Sequence, residues 1–155
     1  MSKLYVLVGV PASGKSTWVR EQKWARDCSY VSTDMWVEME AERQSKTYSE
    51  VFADYMPHAV KLMTNQVVLA RDKGMDIIWD QTSTTVSTRT KKINMLPEYY
   101  KIAVVFKTPP TSELKRRLES RPGKTIPWEI VSDMAQKLDA EPPSEEEGFD
   151  EIWYN

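Results

Sequence analysis

Cysteine and histidine are nearly missing from this chain, with Cys28 and His58 the sole representatives in 155 residues. One thiol excludes an internal disulfide, and one cysteine with one histidine cannot form a metal-ligand cluster. Both read as packed or solvated side chains. Long apolar runs are also lacking. Nothing approaches the ~18 to 20 residues that a membrane span needs, and the segment Leu4–Val10 is short and leads straight into a glycine motif. It therefore reads as a buried strand rather than a signal peptide, and a cytoplasmic location with no membrane partner is expected. No internal repeat or low-complexity block stands out, and the length suits one domain, residues 1–155, with a single core. Oligomeric state is left open.

What is present is 41% hydrophobic and 28% charged residues, the balance of a globular protein. The net charge of −2 conceals an uneven distribution. From Val86 to Lys124 ten Lys/Arg face three Glu, whereas Asp139 to Glu151 holds seven acids and no base. Such runs are commonly solvated faces; the basic one gives some support to a nucleic-acid partner.

Strand-like and helix-like segments alternate. Lys3–Gly9, Ser29–Ser32, Asp76–Asp80, Tyr100–Lys107 and Phe149–Tyr154 read as strands, the last at an edge. Helices are expected over about 16–24, 34–43, 48–73 (bent at Pro57), 86–96, 111–120 (capped by Thr111) and 127–138. The tail 139–148 is expected to be irregular. This order implies an α/β fold, a parallel sheet of about five strands with helices on both faces. Ligands in such sheets bind beyond the carboxyl ends of the strands. Gly9–Ser16, Asp34, Asp80 and the loop after Lys107 should share that edge.

Gly9-Val-Pro-Ala-Ser-Gly14-Lys15-Ser16 fits G-x-x-x-x-G-K-[ST] between a strand and a helix, the context that makes it a phosphate-binding P-loop. Its glycines let successive N–H groups point inward, joined by the positive end of the following helix. Gly9, Ala12, Ser13, Gly14, Lys15, Ser16 and Thr17 are thus candidates to bind ATP. Lys15 would reach the β- and γ-phosphates, and the Ser16 hydroxyl would bind Mg²⁺. Asp34 is the candidate general base, or alternatively a helix N-cap. Asp80 ends its strand as a carboxylate that holds Mg²⁺ or faces the acceptor, or else as a structural turn. Thr82 is equally suited to an acceptor phosphate or a cap. Arg121, in a short basic lid spanning about 117–127, is the cation expected to reach the γ-phosphate, assisted by Arg117; each could instead be a solvated surface arginine. Trp36 either packs or stacks on an acceptor base.

These motifs in this order resemble the kinase domain of the bacteriophage-type polynucleotide 5′-hydroxyl kinases, within the small P-loop kinases. The resemblance runs through GVPASGKSTW, STD, DQTSTTVSTRTKK, ELKRRLESRPGKTIP and PPSEEEGFDEI. It implies an ATP- and Mg²⁺-dependent transferase that phosphorylates a 5′-hydroxyl end of DNA or RNA. Lys15 and Ser16 would serve ATP and Mg²⁺, Asp34 would be the base, Asp80 would support the site and Arg121 would be the lid arginine. The family commonly carries an acceptor-binding arginine three residues after the base, where this chain has Val37. Arg43, Arg89 or Lys92 would then supply that charge, or the acceptor is a different hydroxyl: a hydroxymethylated base, a nucleoside, a sugar or an antibiotic. A nucleotide-binding switch without turnover is a third reading, which needs neither Asp34 nor Arg121.

Overall fold

The computed structural model describes residues 1–155. Its centre is β1 (Lys3–Val8), where Leu4, Val6, Leu7 and Val8 are wholly buried. Side chains of a strand alternate between faces, and β1 feeds two cores accordingly. Leu4, Val6 and Val8 join a large cluster with Met63, Val67 and Trp79, while Tyr5 and Leu7 join Ile78, Val104 and Phe106 on the other side. Each such side chain contributes roughly 1.5–3 kcal/mol, so a Leu7→Asp change would cost the strand its place.

The remaining elements are α1 (Lys15–Glu21), a 3₁₀ turn (Lys23–Asp27), β2 (Ser29–Val31), α2 (Thr33–Gln44), α3 (Tyr48–Asp72), β3 (Ile77–Asp80), α4 (Val86–Met95), β4 (Tyr100–Val105), α5 (Thr111–Glu119), α6 (Trp128–Ala140), a second 3₁₀ turn (Glu145–Glu147) and β5 (Glu151–Tyr154). The five strands pair in the order β2-β3-β1-β4-β5, all parallel, as expected from the alternation. From β1 the chain goes to one side of the sheet for β2 and β3, then to the other for β4 and β5. That reversal opens a crevice at the carboxyl end of β1.

Local chemistry sets the helix boundaries. A capping box between Thr47 and Glu50 starts α3, which continues through Pro57 because Val51, Ala59, Met63 and Val67 bury one stripe. Thr111 is not the cap of α5; it is the first helical residue, preceded by Pro110 at the N-cap, and no side chain caps that end. Trp24 lies outside α1, in the 3₁₀ turn.

The basic run and the acidic tail meet. Arg89 on α4 is fully buried and donates to Glu147 at 2.5 Å, to the Ser83 carbonyl at 2.9 Å and to the Glu141 carbonyl at 2.6 Å. Glu141 also accepts from the Val86 backbone N–H, and Asp150 accepts from that of Lys101. The tail is therefore a strap over α4 and β4. Arg89, Lys92 and Lys101 are all buried, so the basic run is not one solvated face.

Candidate active site

The crevice is a cavity of about 1270 Å³. Its floor is the turn between β1 and α1, where Ala12 and Gly14 adopt left-handed φ of 64° and 103°. Gly14 suits that conformation because it has no Cβ. Gly9 is constrained by space: a Cβ there would lie 2.6 Å from Ser13 Oγ and 3.0 Å from Phe106 Cβ. Gly9 sits beneath the cavity wall and ties β1 to the end of β3 through its N–H to the Thr82 carbonyl, 2.9 Å. Residues 11–17, by contrast, line the cavity directly.

Lys15 folds back over the loop, its Nζ donating to the carbonyls of Gly9 and Val10 at 2.9 Å each. Burial pushes its ammonium down to about 8, against the opposing pull of Asp80 and Asp34. Asp80, buried at the end of β3, accepts from Ser16 Oγ at 3.3 Å and from the Tyr30 hydroxyl. Burial raises its carboxyl above the ordinary value, although Tyr30, Lys15 and Ser16 pull the other way. The same burial, beside that carboxylate, raises the Tyr30 phenol.

Ser32 caps α2 by accepting from the Met35 N–H, so the cap does not use Asp34. The Asp34 carboxylate, half-exposed in the first turn, faces the cavity. Oδ1 accepts from the Tyr48 hydroxyl at 2.6 Å and Oδ2 from Lys124 Nζ at 3.0 Å. Burial raises this acid, but Lys124, Tyr48 and Arg121 outweigh it and the net displacement is downward.

The last turn of α5 and the lid between α5 and α6 supply three cations. Arg117 donates to the Ala12 carbonyl at 3.1 Å and to Glu113 at 2.9 Å. Arg121 lines the cavity with Nη1 buried and unpartnered. Lys124 also reaches Glu38 at 3.3 Å and lies 4.3 Å from the Tyr48 ring centroid. The lid is clasped to α3: Ser49 N–H donates to the Gly123 carbonyl at 3.1 Å, and Thr125 N–H donates to Ser49 Oγ at 2.9 Å.

Ala12, Ser13, Gly14, Lys15, Ser16, Thr17, Asp34, Asp80, Thr82, Arg117 and Arg121 thus converge on one cavity. Two expected acceptor residues do not. Arg89 is consumed by its ion pair inside the protein, and Trp36 packs between the main core and the α2–α3 cluster. Thr82 stays on the wall, whereas Thr85 caps α4. The other substitutes for an arginine at position 37 are also committed elsewhere. Arg43 pairs with Glu40, and Lys92 is buried near the Trp79 ring. Val37 itself is fully buried against Ala41, Val51 and Ala59. Tyr30, Tyr48, Phe52 and Lys124 line the cavity without having been singled out beforehand. Lys124 alone carried a signal, its place in RPGKTIP beside Arg121.

A strand–glycine loop–helix cradle at the switch point of a parallel sheet defines a P-loop nucleotide-binding fold of the kinase type. Residues 4–141 match the AAA domain family, and the chain belongs to it. No curated protein matches the chain. Among solved structures, a chain of the Pnkp1/Rnl/Hen1 RNA repair complex is similar at 24% identity and a TM-score of 0.69, covering 90% of this chain and 44% of that one. This chain thus spans less than half of that relative. The PezAT toxin–antitoxin system of Streptococcus pneumoniae provides a match at 18% identity and TM-score 0.70, covering 100% and 69%. Shikimate kinase from Bacteroides thetaiotaomicron matches at 18% and 0.53, covering 98% and 86%. These likenesses, all under 25% identity, show a shared fold alone.

Proposed function

We propose that this protein transfers the γ-phosphoryl group of ATP to the 5′-hydroxyl end of a nucleic acid. The observation that carries the phosphotransfer reading is Arg121. A buried guanidinium nitrogen with no partner is costly, and its residue belongs to the lining of a cavity floored by a phosphate-type cradle, with a carboxylate on its wall. A phosphoryl group bound between Lys15 and Arg121 would give the guanidinium an anionic partner.

The residues also fit Mg²⁺. No group of three acidic, His or Cys side chains exists to hold a metal alone, but Mg²⁺ typically takes one or two carboxylates plus phosphate oxygens and water. Ser16 and Asp80, already in contact, would provide the protein's share. When bound, the ion neutralises charge on the phosphates. Lys15 would leave the Gly9 and Val10 carbonyls for the β- and γ-phosphates, while the loop N–H groups orient the chain of phosphates. Asp34 would take the proton of the attacking hydroxyl as its oxygen bonds to the γ-phosphorus. The bond from that phosphorus to the bridging oxygen breaks, ADP leaves, and Arg121 holds the charge on the transferring oxygens.

The acceptor assignment draws on the ordered motif resemblance and on the similarity to the RNA-repair chain. One domain acting in the cytoplasm is part of the same proposal. A small-molecule hydroxyl is the second reading, favoured by Val37 being core rather than site. Incubation with γ-labelled ATP, Mg²⁺ and a panel of 5′-hydroxyl DNA, 5′-hydroxyl RNA, hydroxymethylated DNA, nucleosides and sugars separates the two. Label at an oligonucleotide 5′ end is expected; label confined to a small molecule overturns the nucleic-acid acceptor, and no transfer to any acceptor overturns the kinase. Asp34→Ala should abolish transfer while ATP affinity stays within a few-fold.

A further inference from the structure

The cavity wall formed by α2, α3 and the lid carries Met35, Tyr48, Phe52 and Met56 beside the acidic Asp34 and Glu38. Phe52 is 42% exposed and its ring lines the cavity. Its ring lies 5.5 Å from that of Tyr48, and Tyr48 in turn carries Lys124 at 4.3 Å. The order along the wall is therefore cation, ring, exposed ring. Of the other cavity cations, Lys15 bonds to the P-loop carbonyls, Arg117 on α5 reaches the Ala12 carbonyl, Arg20 contacts Thr17 on α1, and Arg121, also on the lid, is the arginine assigned to the transferring group. Lys124 is the cation that stands over the Tyr48 ring.

From this arrangement we infer that Phe52, Tyr48 and Lys124 form the acceptor subsite, with Phe52 stacking the terminal base and Lys124 taking the phosphate that follows the terminal sugar. The inference rests on the phosphotransfer reading and names what that site recognises. A base and a phosphate on one nucleotide match an exposed aromatic face and an ammonium held under 10 Å apart by the two spacings just given. They also answer the burial of Val37: the anion is met from the lid instead of from α2.

The subsite has a second consequence for Asp34. Both carboxylate oxygens already accept a hydrogen bond, and the Lys124 ammonium divides its charge between Asp34 and Glu38. When Lys124 turns to an acceptor phosphate, Oδ2 is freed to receive the proton of the acceptor hydroxyl. Recognition of the anion and exposure of the base are then one movement. Lys124 is in this sense a positioning residue, and an acceptor without the phosphate should be slow in kcat as well as weak in KM.

The test compares a nucleoside 3′-monophosphate with the same nucleoside, both carrying a free 5′-hydroxyl. In the wild-type protein the phosphorylated acceptor should have a kcat/KM higher by about 10²-fold, the scale expected when a charged partner is removed from a paired site. Lys124→Ala should bring that ratio to within a few-fold, and Lys124→Arg should retain most of it. Phe52→Ala should raise KM for the nucleotide by about 10-fold, as loss of base stacking does, and Phe52→Tyr should restore it. A ratio unchanged in Lys124→Ala, or a KM unmoved by Phe52→Ala, overturns the subsite. Calorimetric binding of the same nucleotide, with a non-hydrolysable ATP analogue present, keeps this inference separate from the reaction. Binding that both alanine variants weaken, without transfer in the wild type, retains the subsite and overturns the kinase reading; no binding to the wild type overturns the subsite.

Discussion

Arg89 and Arg121 lie in the same basic stretch of sequence and in opposite physical situations. Arg89, under the C-terminal strap, has Glu147 and two carbonyls around it and no exposure to solvent. Arg121, on the lid, has a buried nitrogen with no partner at all. The first is a satisfied charge that holds two distant segments together. The second is an unsatisfied one, and it borders the cavity where a phosphoryl group would sit. Function follows the unmet valence rather than the density of charge.

Each side of that contrast can be broken separately. Arg89→Ala would strand the Glu147 carboxylate in the interior, a loss of about 3–5 kcal/mol for a buried pair, read as a fall of roughly 10 °C or more in thermal unfolding. A melting temperature close to wild type would show the strap to be dispensable. Next in size, Arg121→Ala should lower kcat by about 10²-fold, near 2.7 kcal/mol, with the melting temperature unchanged or raised because an unpaired buried nitrogen is removed. A large drop in melting temperature would reverse the assignment of roles. Glu147→Gln keeps a hydrogen-bond acceptor beside Arg89 and should cost about 1–3 kcal/mol, measurable by urea titration. The smallest effect concerns Lys15, whose amine sits at about 8. Its charged form faces the phosphates, so ATP affinity should be full below that pH and decline as pH rises through it, by at most about tenfold per unit. For the nucleotide-free protein the sign is opposite. Between about 8 and the ordinary amine value of 10.5 the unfolded chain holds a proton the folded one lacks, so stability rises with pH across that window. Calorimetry across pH, with Lys15→Met as control, reads both.

The P-loop floor of the cavity was legible because it is local. Eight consecutive residues carry the loop, and alternating apolar runs carry the sheet that presents it. Asp34, Asp80 and Arg121 were legible through position, each just past a strand or between two helices. The wall that carries Lys124 and the C-terminal strap both depend on contacts across long separations: Lys124 meets Asp34 from 90 residues away, and Arg89 meets Glu147 from 58. No spacing rule encodes either meeting. Trp36 was drawn toward the site by its nearness to Asp34, yet residues two apart on a helix point in different directions. Its side chain faces the core while the carboxylate faces the cavity.

The clasp between the lid and α3 consists of two hydrogen bonds and a tight fit, since a Cβ on Gly123 would lie 2.8 Å from Thr47. Gly123 adopts a φ of 67°, so it is both the knuckle of the lid and the point where it is fastened. A lid that opened during phosphoryl transfer would have to unfasten and refasten that knuckle. The pace of turnover would then be set at Ser49 and Gly123, by how quickly a latch lets go of its catch.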